Sequence, residues 1–344
     1  MNRPLVSVIL PTYNVEHFIG TALLELSEQS YPNLEFVIVD DASSDETVDV
    51  IRRRLQHEPR ARLYLQDVNQ GVAAARERAV SEAQGSYLWF VDADDSWPRD
   101  AVQVLVAAAE AGQAEVVVCA AEYLYDDGAR SVPLGVTGLG SSLVGHEAFI
   151  ELLGGRIKGH LWNKLFSITL VDHLEYPRIR VHSDLAMTAQ LIARATRVSV
   201  IPDTLYGYNV RPGSLITSGG RRDTELAQVD AIVARCVRDC ADDPRVERAH
   251  EYFQLRFILM PLIRQADELR GKGETDRALE ARLRQIVEWQ HLRMLLRRRQ
   301  WAYAASVGVW RWAPWARGLS ARARDVYLDL RRKNVSPTTA EGQR

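Results

Sequence analysis

The run Asp92-Ala93-Asp94-Asp95 places three carboxylates within four residues, and it is the sharpest candidate for chemistry in this chain. Carboxylates this close repel one another, so bringing them together costs free energy unless a cation lies between them. Hard divalent cations such as Mg²⁺ and Mn²⁺ prefer oxygen ligands, and they can hold a diphosphate as it leaves. The alternative interpretation is a solvated turn, because aspartate is common in turns.

The elements around this run alternate between strand and helix. Short runs rich in Val, Ile and Leu predict five strands, at Leu5–Leu10, Glu35–Val39, Arg62–Leu65, Tyr87–Val91 and Glu115–Cys119. The segments between them predict four helices, at Glu16–Ser30, Asp45–Gln56, Val72–Gln84 and Asp100–Ala111. This alternation predicts an α/β fold with a mostly parallel sheet and helices on both faces.

Polar clusters follow four of the predicted strands at their carboxyl ends. In chain order they are Pro11-Thr12-Tyr13-Asn14, Asp40-Asp41, Asn69-Gln70-Gly71 and Asp92–Asp95. Ligands of parallel α/β sheets bind at this edge, near a switch in strand order. Four polar clusters on one edge favour a ligand site over four unrelated turns.

The four segments resemble those of the family 2 glycosyltransferases. Val6–Asn14 is similar to the opening strand and turn of that family, and Glu35–Asp45 is similar to its second strand and loop. Asn69–Arg76 resembles its Asn-x-Gly-x-x-x-Ala-Arg segment, and Asp92–Asp95 resembles its Asp-x-Asp metal motif. The resemblance covers the chain to about Cys119. It implies the Rossmann-like GT-A fold and a nucleotide-diphosphate sugar as donor.

The resemblance also implies residues that contact the nucleotide. Thr12 and Tyr13 would line the base pocket beside Pro11, and Asp41 would accept a hydrogen bond from a ring N–H of the base. Two further residues would contribute to the nucleotide site, namely Asn69 and Arg76. Tyr13 could instead pack over the sheet edge, and Arg76 could instead pair with a surface carboxylate.

For the acidic run, the resemblance implies a site for Mn²⁺ or Mg²⁺. Asp94 would be the principal metal ligand, and Asp92 would approach either the ribose or the metal. Ala93 would lie against the nucleotide in the same loop, where Asp95 is a third candidate metal ligand.

A catalytic base is implied by two later segments. Leu161–Phe166 and Tyr206–Ile216 resemble segments of the family branch that builds capsules and lipopolysaccharides. Between them, that branch carries Glu-Asp at the start of a helix, with the Asp as base. Here Ser183 replaces the Glu, while Asp184 is present and is the predicted base. The alternative is that both residues only cap a helix.

The chain is expected to have a catalytic domain at 1–220, with nucleotide-sugar binding at 1–120 and the acceptor and catalytic part at 121–220. A helical region at 221–333 and a disordered tail at 334–344 would follow. Long helices are expected over Arg221–Arg299, with a break at Gly271-Lys272-Gly273.

The end of the helical region is strongly basic. His291–Lys333 contains eleven Arg and Lys residues against two Asp, a net charge of +9 in a chain whose net charge is −2. The same segment holds Trp301, Trp310, Trp312 and Trp315. This composition suits an anionic membrane surface, although the tryptophans could instead pack on the body. A nucleic-acid partner is not expected, because no known motif is present.

The amino-acid composition limits the class of protein and its cellular location. The contents of 47% apolar and 26% charged residues are typical of a globular protein. Three scattered cysteines are too few for a disulfide framework, and they fit a reducing compartment. No signal peptide is recognised, and no run reaches the roughly 18 apolar residues that a spanning helix needs. We therefore expect a cytoplasmic location, either free or peripheral on the inner face of the cell membrane.

The sequence as a whole predicts a metal-dependent, inverting glycosyltransferase. It would act on a glycan or lipid-linked acceptor in cell-surface polysaccharide synthesis, whereas the sugar, the base and the oligomeric state stay open. A transferase homologue that binds nucleotide sugar or membrane without turnover is one alternative. A sugar-nucleotide nucleotidylyltransferase is another, although Pro11-Thr12-Tyr13-Asn14 lacks the Gly-rich loop of those enzymes.

Overall fold

The computed structural model of the protein describes residues 3–125, 131–136, 138–210 and 223–313. These residues form two compact units, one of Met1–Gly219 with Gln228–His250 and the other of Gly220–Ala227 with Glu251–Arg344. Gln228–His250 therefore belongs with the first unit. The predicted division at residue 220 stays a prediction, and the predicted tail at 334–344 lies outside the described residues.

A mixed sheet forms the centre of the first unit. Its strands are β1 Val6–Thr12, β2 Leu34–Asp40, β3 Ala61–Leu65, β4 Tyr87–Phe90, β5 Val116–Tyr125, β6 Ser131–Leu134, β7 Ser142–Val144, β8 Lys164–Ser167 and β9 Arg197–Val210. Within the described residues the order is β3-β2-β1-β4-β8-β5-β9-β7, and β6 pairs with β5.

Helices connect these strands and cover the sheet. They are α1 Glu16–Ser27, α2 Thr47–Leu55, α3 Val72–Glu82, α4 Ala101–Gly112, α5 Glu147–Leu153 and α6 Ser183–Arg194. The five predicted strands and four predicted helices are all present, with ends that differ by a few residues. The predicted α/β fold is confirmed.

Burial explains why these runs form strands. All seven residues of β2 are buried, and so are six of the seven residues of β1. Continuous apolar runs are typical of parallel strands that helices cover on both faces. The register pairs Thr12 with Asp40 and Ile9 with Phe90. This register brings the ends of β1, β2 and β4 to one edge.

The sheet changes direction beside β4. Strand β8 lies antiparallel between β4 and β5, with Leu88 opposite Phe166 and Val117 opposite Leu165. This insertion was not predicted, because a four-residue strand reached through irregular chain carries little sequence periodicity. It brings the segment Trp162-Asn163-Lys164 beside β4, the strand that precedes the loop with Asp92.

Further helices follow β9. They are α7 Asp223–Asp239, α8 Pro244–Phe253, α9 Met260–Gly271, α10 Arg277–Ile286, α11 Trp289–Arg297 and α12 Trp301–Trp312, with a π-helical segment at Gln254–Leu259. The second unit has its own core, which includes Met260, Ile263, Leu283 and Trp310. The predicted break after Gly271 is confirmed. The helices between residues 223 and 299 are shorter than expected.

Candidate active site

The loops after β1 and β2 are joined by hydrogen bonds from their polar side chains. Buried Asp40 accepts from Thr12 Oγ1 at 3.0 Å and from the backbone N–H of Ser43 at 2.8 Å. The side chain of Asn14 accepts from the backbone N–H of Ser44 at 2.9 Å. Asn14 and Ala42 both have positive φ, at 51° and 60°. Non-glycine residues rarely adopt this backbone, and such outliers concentrate at functional sites.

Asp41 holds the loop that precedes α3. Its two carboxylate oxygens accept from the backbone N–H groups of Gln70 and Gly71, both at 2.7 Å, and Oδ1 also accepts from Gln66 Nε2 at 3.1 Å. Gly71 has φ of 87°, which glycine adopts at little steric cost. Its N–H therefore points at Asp41 as α3 begins. The predicted contact of Asp41 with a nucleotide base stays a prediction.

Arg76, on α3, connects two carboxylates that are distant in sequence. Its Nη1 lies 2.5 Å from Asp184 Oδ1, and its Nη2 lies 3.3 Å from Asp92 Oδ1. The Arg76 side chain is only 4% exposed, and its Nε has no hydrogen-bond partner. Arg76 is therefore a buried cation that faces the acidic loop on one side and the predicted base on the other.

The acidic loop after β4 is held by the end of β9. Tyr206 Oη accepts from the backbone N–H of Asp92 at 3.2 Å and donates to Asp95 Oδ2 at 2.8 Å. Asp95 Oδ1 accepts from the backbone N–H of Asn209 at 3.0 Å, and Asn209 Nδ2 donates to the carbonyl of Asp94 at 2.8 Å. Asp95 thus anchors β9 with both oxygens. Asp92 and Asp94 are more exposed than Asp95.

This loop carries an excess of negative charge. Burial raises the pKa of Asp92 to about 6; Arg76 opposes the shift, whereas the charges of Asp184 and Asp94 add to it. Burial, with Asp92 and Asp94 close by, raises the pKa of Asp95 to about 8. The hydrogen bonds that Asp95 accepts oppose this shift and favour its ionised form. A bound cation would relieve the repulsion among these groups.

Asp184 lies in the first turn of α6. Burial would raise the pKa of its carboxyl group, but Arg76, His160 and the backbone N–H of Leu161 outweigh burial and hold it below the usual value. His182, two residues before Asp184, has φ of 69°, so the chain turns sharply into the helix. The helix dipole also favours a negative charge at this end. Asp184 is therefore held as a carboxylate.

The loop that contacts Asp184 is fixed by a fully buried lysine. Lys164 Nζ donates to the carbonyls of Lys158 at 2.8 Å and His160 at 2.6 Å, and to Asn163 Oδ1 at 2.7 Å. Three acceptors match the three N–H groups of an ammonium ion. Burial nevertheless lowers the pKa of Lys164 to about 7. In the sequence, Lys164 stands out only as part of the motif Leu161–Phe166, because a lysine in isolation indicates a surface position.

A column of stacked rings links this loop to the acidic loop. The His160 ring lies 4.6 Å from that of Trp162, and the Trp162 ring lies 4.5 Å from that of Tyr206. Burial, followed by the charge of Lys164, lowers the pKa of His160 to about 4, so its ring is neutral near pH 7. Tyr206 in turn contacts Asp92 and Asp95. The column therefore connects the surroundings of the predicted base with those of the predicted metal ligands.

The remaining predicted residues lie on the same edge. Thr12 is buried against Asp40, and Pro11 is partly exposed at the end of β1. Tyr13 is 49% exposed, which leaves its ring face open, while Asn69 is exposed in the loop before α3. Ala93 is 5% exposed, between Asp92 and Asp94. The predicted contacts of these residues with a nucleotide or metal stay predictions.

The donor set constrains any metal site. Among the described residues, no group of three His, Cys, Asp or Glu side chains could hold a metal ion. Asp92 and Asp94 would supply at most two carboxylates, and a cation there would need oxygens from a diphosphate and water. The negative charge around Asp92 fits such a shared cation. The residues therefore fit a divalent metal that binds together with the nucleotide.

Part of the first unit matches a known protein family. Residues 7–148 match the model of the family Glycosyl transferase family 2, and this part of the chain is a family 2 glycosyltransferase domain. Among curated relatives, a Bacillus subtilis protein named as a teichuronic acid biosynthesis glycosyltransferase, TuaG, is 39% identical over 101 residues. The match covers 29% of this chain and 40% of the relative. The chain spans about 40% of the length of the first two curated relatives it matches.

Solved structures give the fold. The crystal structure of Staphylococcus aureus TarS residues 1–349 with UDP-GlcNAc has a TM-score of 0.64 and 18% identity, covering 95% of this chain and 92% of that one. The mannosyltransferase PcManGT of Pyrobaculum calidifontis, in complex with GDP-Man and Mn²⁺, has a TM-score of 0.51 and 21% identity, covering 95% of this chain and 88% of that one. Both solved structures are less than 25% identical to this chain, so the similarity concerns the fold alone. That fold is the predicted GT-A fold.

Proposed function

We propose that the protein transfers a sugar, with inversion, from a nucleotide-diphosphate sugar to a hydroxyl of a glycan or lipid-linked acceptor. The observation that carries this proposal is the contact of one buried cation, Arg76, with both Asp92 and Asp184. Asp92 belongs to the sheet edge where family 2 domains hold their donor. Asp184 is an ionised carboxylate beside it, suited to receive a proton from an acceptor.

In the proposed reaction, Asp184 removes the proton of the acceptor hydroxyl. The oxygen of that hydroxyl attacks the anomeric carbon as the bond from this carbon to the diphosphate oxygen breaks. A positioned base of this kind typically contributes about 10²–10⁴-fold to the rate. Arg76 keeps Asp184 ionised and fixes its position, because the ion pair is buried. Ser183, in place of the usual Glu, is buried beside Asp184 and leaves this carboxylate in place.

On the donor side, Asp94 with help from Asp92 would hold a Mn²⁺ or Mg²⁺ ion shared with the diphosphate. Such an ion supplies positive charge that stabilises the departing diphosphate. Thr12, Tyr13 and Asp41 would form the base pocket, with Pro11, Asn69 and Ala93 at its edges. The GDP-Man and Mn²⁺ complex of PcManGT supports this proposal by analogy of fold.

The cellular setting is also proposed. The name of TuaG assigns that relative to teichuronic acid biosynthesis, which supports a role for this chain in cell-surface polysaccharide synthesis. We propose a cytoplasmic protein that works on the inner face of the membrane, where lipid-linked acceptors are accessible. Within the part of the chain that the structure describes, no helix has the length and apolar character needed to cross a membrane.

A panel of nucleoside diphosphates tests the donor. We would measure the melting temperature with UDP, GDP and dTDP, each with Mn²⁺ and with a chelator. A ligand at 100 times its Kd stabilises the folded state by about 2.7 kcal/mol. One diphosphate should raise the melting temperature in the presence of Mn²⁺. If none does so, the proposed donor class is wrong.

Turnover separates the enzyme from a homologue that only binds. With the nucleotide identified, radiolabelled donor sugars carrying it would be followed for hydrolysis and for transfer to membrane extracts. Metal-dependent release of the nucleoside diphosphate is expected. Binding without any release, across the donors of that nucleotide, would instead support the non-catalytic alternative.

A further inference from the structure

Helix α12 has an exposed face without charged or hydrophilic side chains. Trp301, Ala305, Gly308 and Trp312 recur at helical spacing on that face, and Trp301 and Trp312 are 60% and 38% exposed. The opposite face, with Tyr303, Val307 and Trp310, is buried in the second core. Helices on the surface of a globular protein usually carry polar side chains on their outer face. The outer face of α12 therefore requires an apolar or interfacial partner.

Exposed apolar side chains are concentrated around this helix. Of ten exposed large hydrophobic side chains in the described residues, five lie between positions 286 and 312: Ile286, Trp289, Leu296, Trp301 and Trp312. The rings of Trp289 and Trp312 pack against each other with centroids 4.3 Å apart and planes tilted by 32°, which joins the outer faces of α11 and α12. We call Ile286, Trp289, Leu296, Trp301 and Trp312 the tryptophan surface.

Arginines accompany the tryptophan surface. The segment 286–312 contains five exposed arginines, at 293, 297, 298, 299 and 311, and one acidic residue, Glu288. Arg293 and Arg297 follow Trp289 at intervals of four, so all three share one face of α11. Tryptophan is favoured at the headgroup level of a bilayer, where arginine meets anionic phosphate.

We propose that the tryptophan surface docks the protein onto an anionic lipid bilayer, with α11 and α12 lying in the headgroup region. Trp310 does not take part, because it is buried and donates through Nε1 to Asp267 at 3.1 Å. The sequence left membrane binding and packing open as alternatives for the four tryptophans. The structure separates the described tryptophans into two groups, since Trp310 packs in the core whereas Trp301 and Trp312 are exposed. Trp315 lies outside the described residues.

The positive charge of the arginines beside the tryptophan surface favours an anionic bilayer over a second copy of this chain. A second copy of this chain would bring the same arginines together, which is unfavourable unless acidic groups lie opposite them. An anionic bilayer has no such penalty. The inference deepens the membrane association proposed above, but it does not depend on sugar transfer, because vesicle binding is measured separately.

The test uses the full chain and two kinds of vesicle. One contains equal parts of phosphatidylglycerol and phosphatidylcholine, and the other contains phosphatidylcholine alone. The protein should co-sediment with the first kind, and less so as salt is added. Arg293→Glu and Arg297→Glu should each lower the affinity at least about five-fold. Trp301→Ser and Trp312→Ser should each lower it about tenfold.

Matched controls keep the result specific. Arg53→Glu and Arg54→Glu reverse two exposed arginines of α2 in the first unit, and Val144→Ser removes an exposed apolar side chain of β7. Arg53→Glu and Arg54→Glu should lose only the small, general effect of net charge, and Val144→Ser, which leaves the charge unchanged, should bind like the wild type. Circular dichroism and melting temperature should be unchanged in every variant, since all the substituted side chains are exposed.

Several outcomes would overturn the inference. Equal binding to both kinds of vesicle would contradict the proposed role of the arginines. Equal losses of affinity in the α2 controls would contradict the assignment of binding to the tryptophan surface. The intact protein could fail to bind vesicles and instead form a dimer that Trp301→Ser dissociates. That result would assign the surface to a second copy of the chain. Donor hydrolysis is assayed in the same variants. Vesicle binding without hydrolysis would contradict the proposed enzyme while supporting the surface.

Discussion

Arg76 and Asp184 form a buried ion pair, with 2.5 Å between Nη1 and Oδ1, although 108 positions separate them in the chain. The same guanidinium contacts Asp92, in the acidic loop after β4. One cation thus affects the ionisation of two carboxylates that the proposed reaction uses differently.

Replacing Arg76 should change the pH dependence of the reaction. In Arg76→Gln the largest influence that lowers the pKa of Asp184 is lost, so this pKa rises. The base must be ionised, and activity is lost as the pH falls through its pKa. The acidic limb of kcat/KM should therefore move to higher pH, which a pH–rate profile measures.

Arg78→Gln is the matched control for this experiment. Arg78 is on the same helix, but its side chain is 54% exposed and pairs with Glu82. Its profile should coincide with that of the wild type. An unmoved acidic limb in Arg76→Gln would show that the ion pair does not govern the base.

Asp184→Asn should reduce turnover and leave donor binding nearly intact. Asparagine keeps the size of the side chain, but it cannot remove the acceptor proton. We expect kcat to fall about 10²–10⁴-fold, with little change in the KM for the donor. Asp49→Asn, which changes an exposed first-turn aspartate of α2, is the control. A kcat within a few-fold of wild type, at unchanged stability, would remove Asp184 from the mechanism and make His182 the next candidate.

Asp94 and Asp95 should respond differently to substitution. Asp94→Asn should abolish the gain in nucleotide affinity that Mn²⁺ gives and leave the melting temperature nearly unchanged. Asp95→Ala should destabilise the fold by about 1–3 kcal/mol, because Tyr206 and Asn209 lose their acceptor. Calorimetry with metal and with chelator, beside denaturant unfolding, separates the two effects. Equal metal dependence in Asp94→Asn and wild type would contradict the metal assignment.

Lys164→Met should destabilise the first unit by about 3 kcal/mol, because three oxygen acceptors lose their donor inside the protein. The kcat should fall as well, since this loop brings the N–H of Leu161 to Asp184. Chemical denaturation and steady-state kinetics check both effects. Lys158→Met is the control, because Lys158 Nζ donates to the carbonyl of Gly155 in the same loop. Equal losses in both variants would deny Lys164 a special role.

His160 should make stability dependent on pH. The pKa of its ring is about 4 in the folded chain, below the usual value of about 6.5. Between these values the unfolded chain binds a proton that the folded chain does not, so stability falls as the pH is lowered. His160→Gln should flatten this part of the curve of melting temperature against pH. His57→Gln, at an exposed position of the first unit, should leave the curve unchanged; the same curve for both variants would contradict the prediction.

The sequence by itself determined the α/β alternation and the edge at which the polar clusters lie. Runs such as Leu34–Asp40 are apolar except at Glu35 and Asp40, and a segment of this kind is typical of a covered parallel strand. Parallel strands bring their carboxyl ends to one edge, so Thr12, Asp41 and Asp92 could be assigned to one site in advance. The match of residues 7–148 to the glycosyltransferase family 2 model was expected from the same motifs, because they lie in local segments with fixed spacing.

Only the tertiary structure decided how these side chains are used. Asp94 and Asp95 are neighbours in sequence, yet Asp95 is directed to Tyr206 and Asn209 by the pairing of Ser96 with Gly207. In the sequence, Lys164 and Arg76 resemble ordinary surface cations. In the structure both are buried, and oxygen atoms surround their charged groups. Trp301 and Trp310 belong to one helix, and only the packing of that helix exposes the first and buries the second. Such outcomes depend on contacts between distant segments, which local periodicity does not encode.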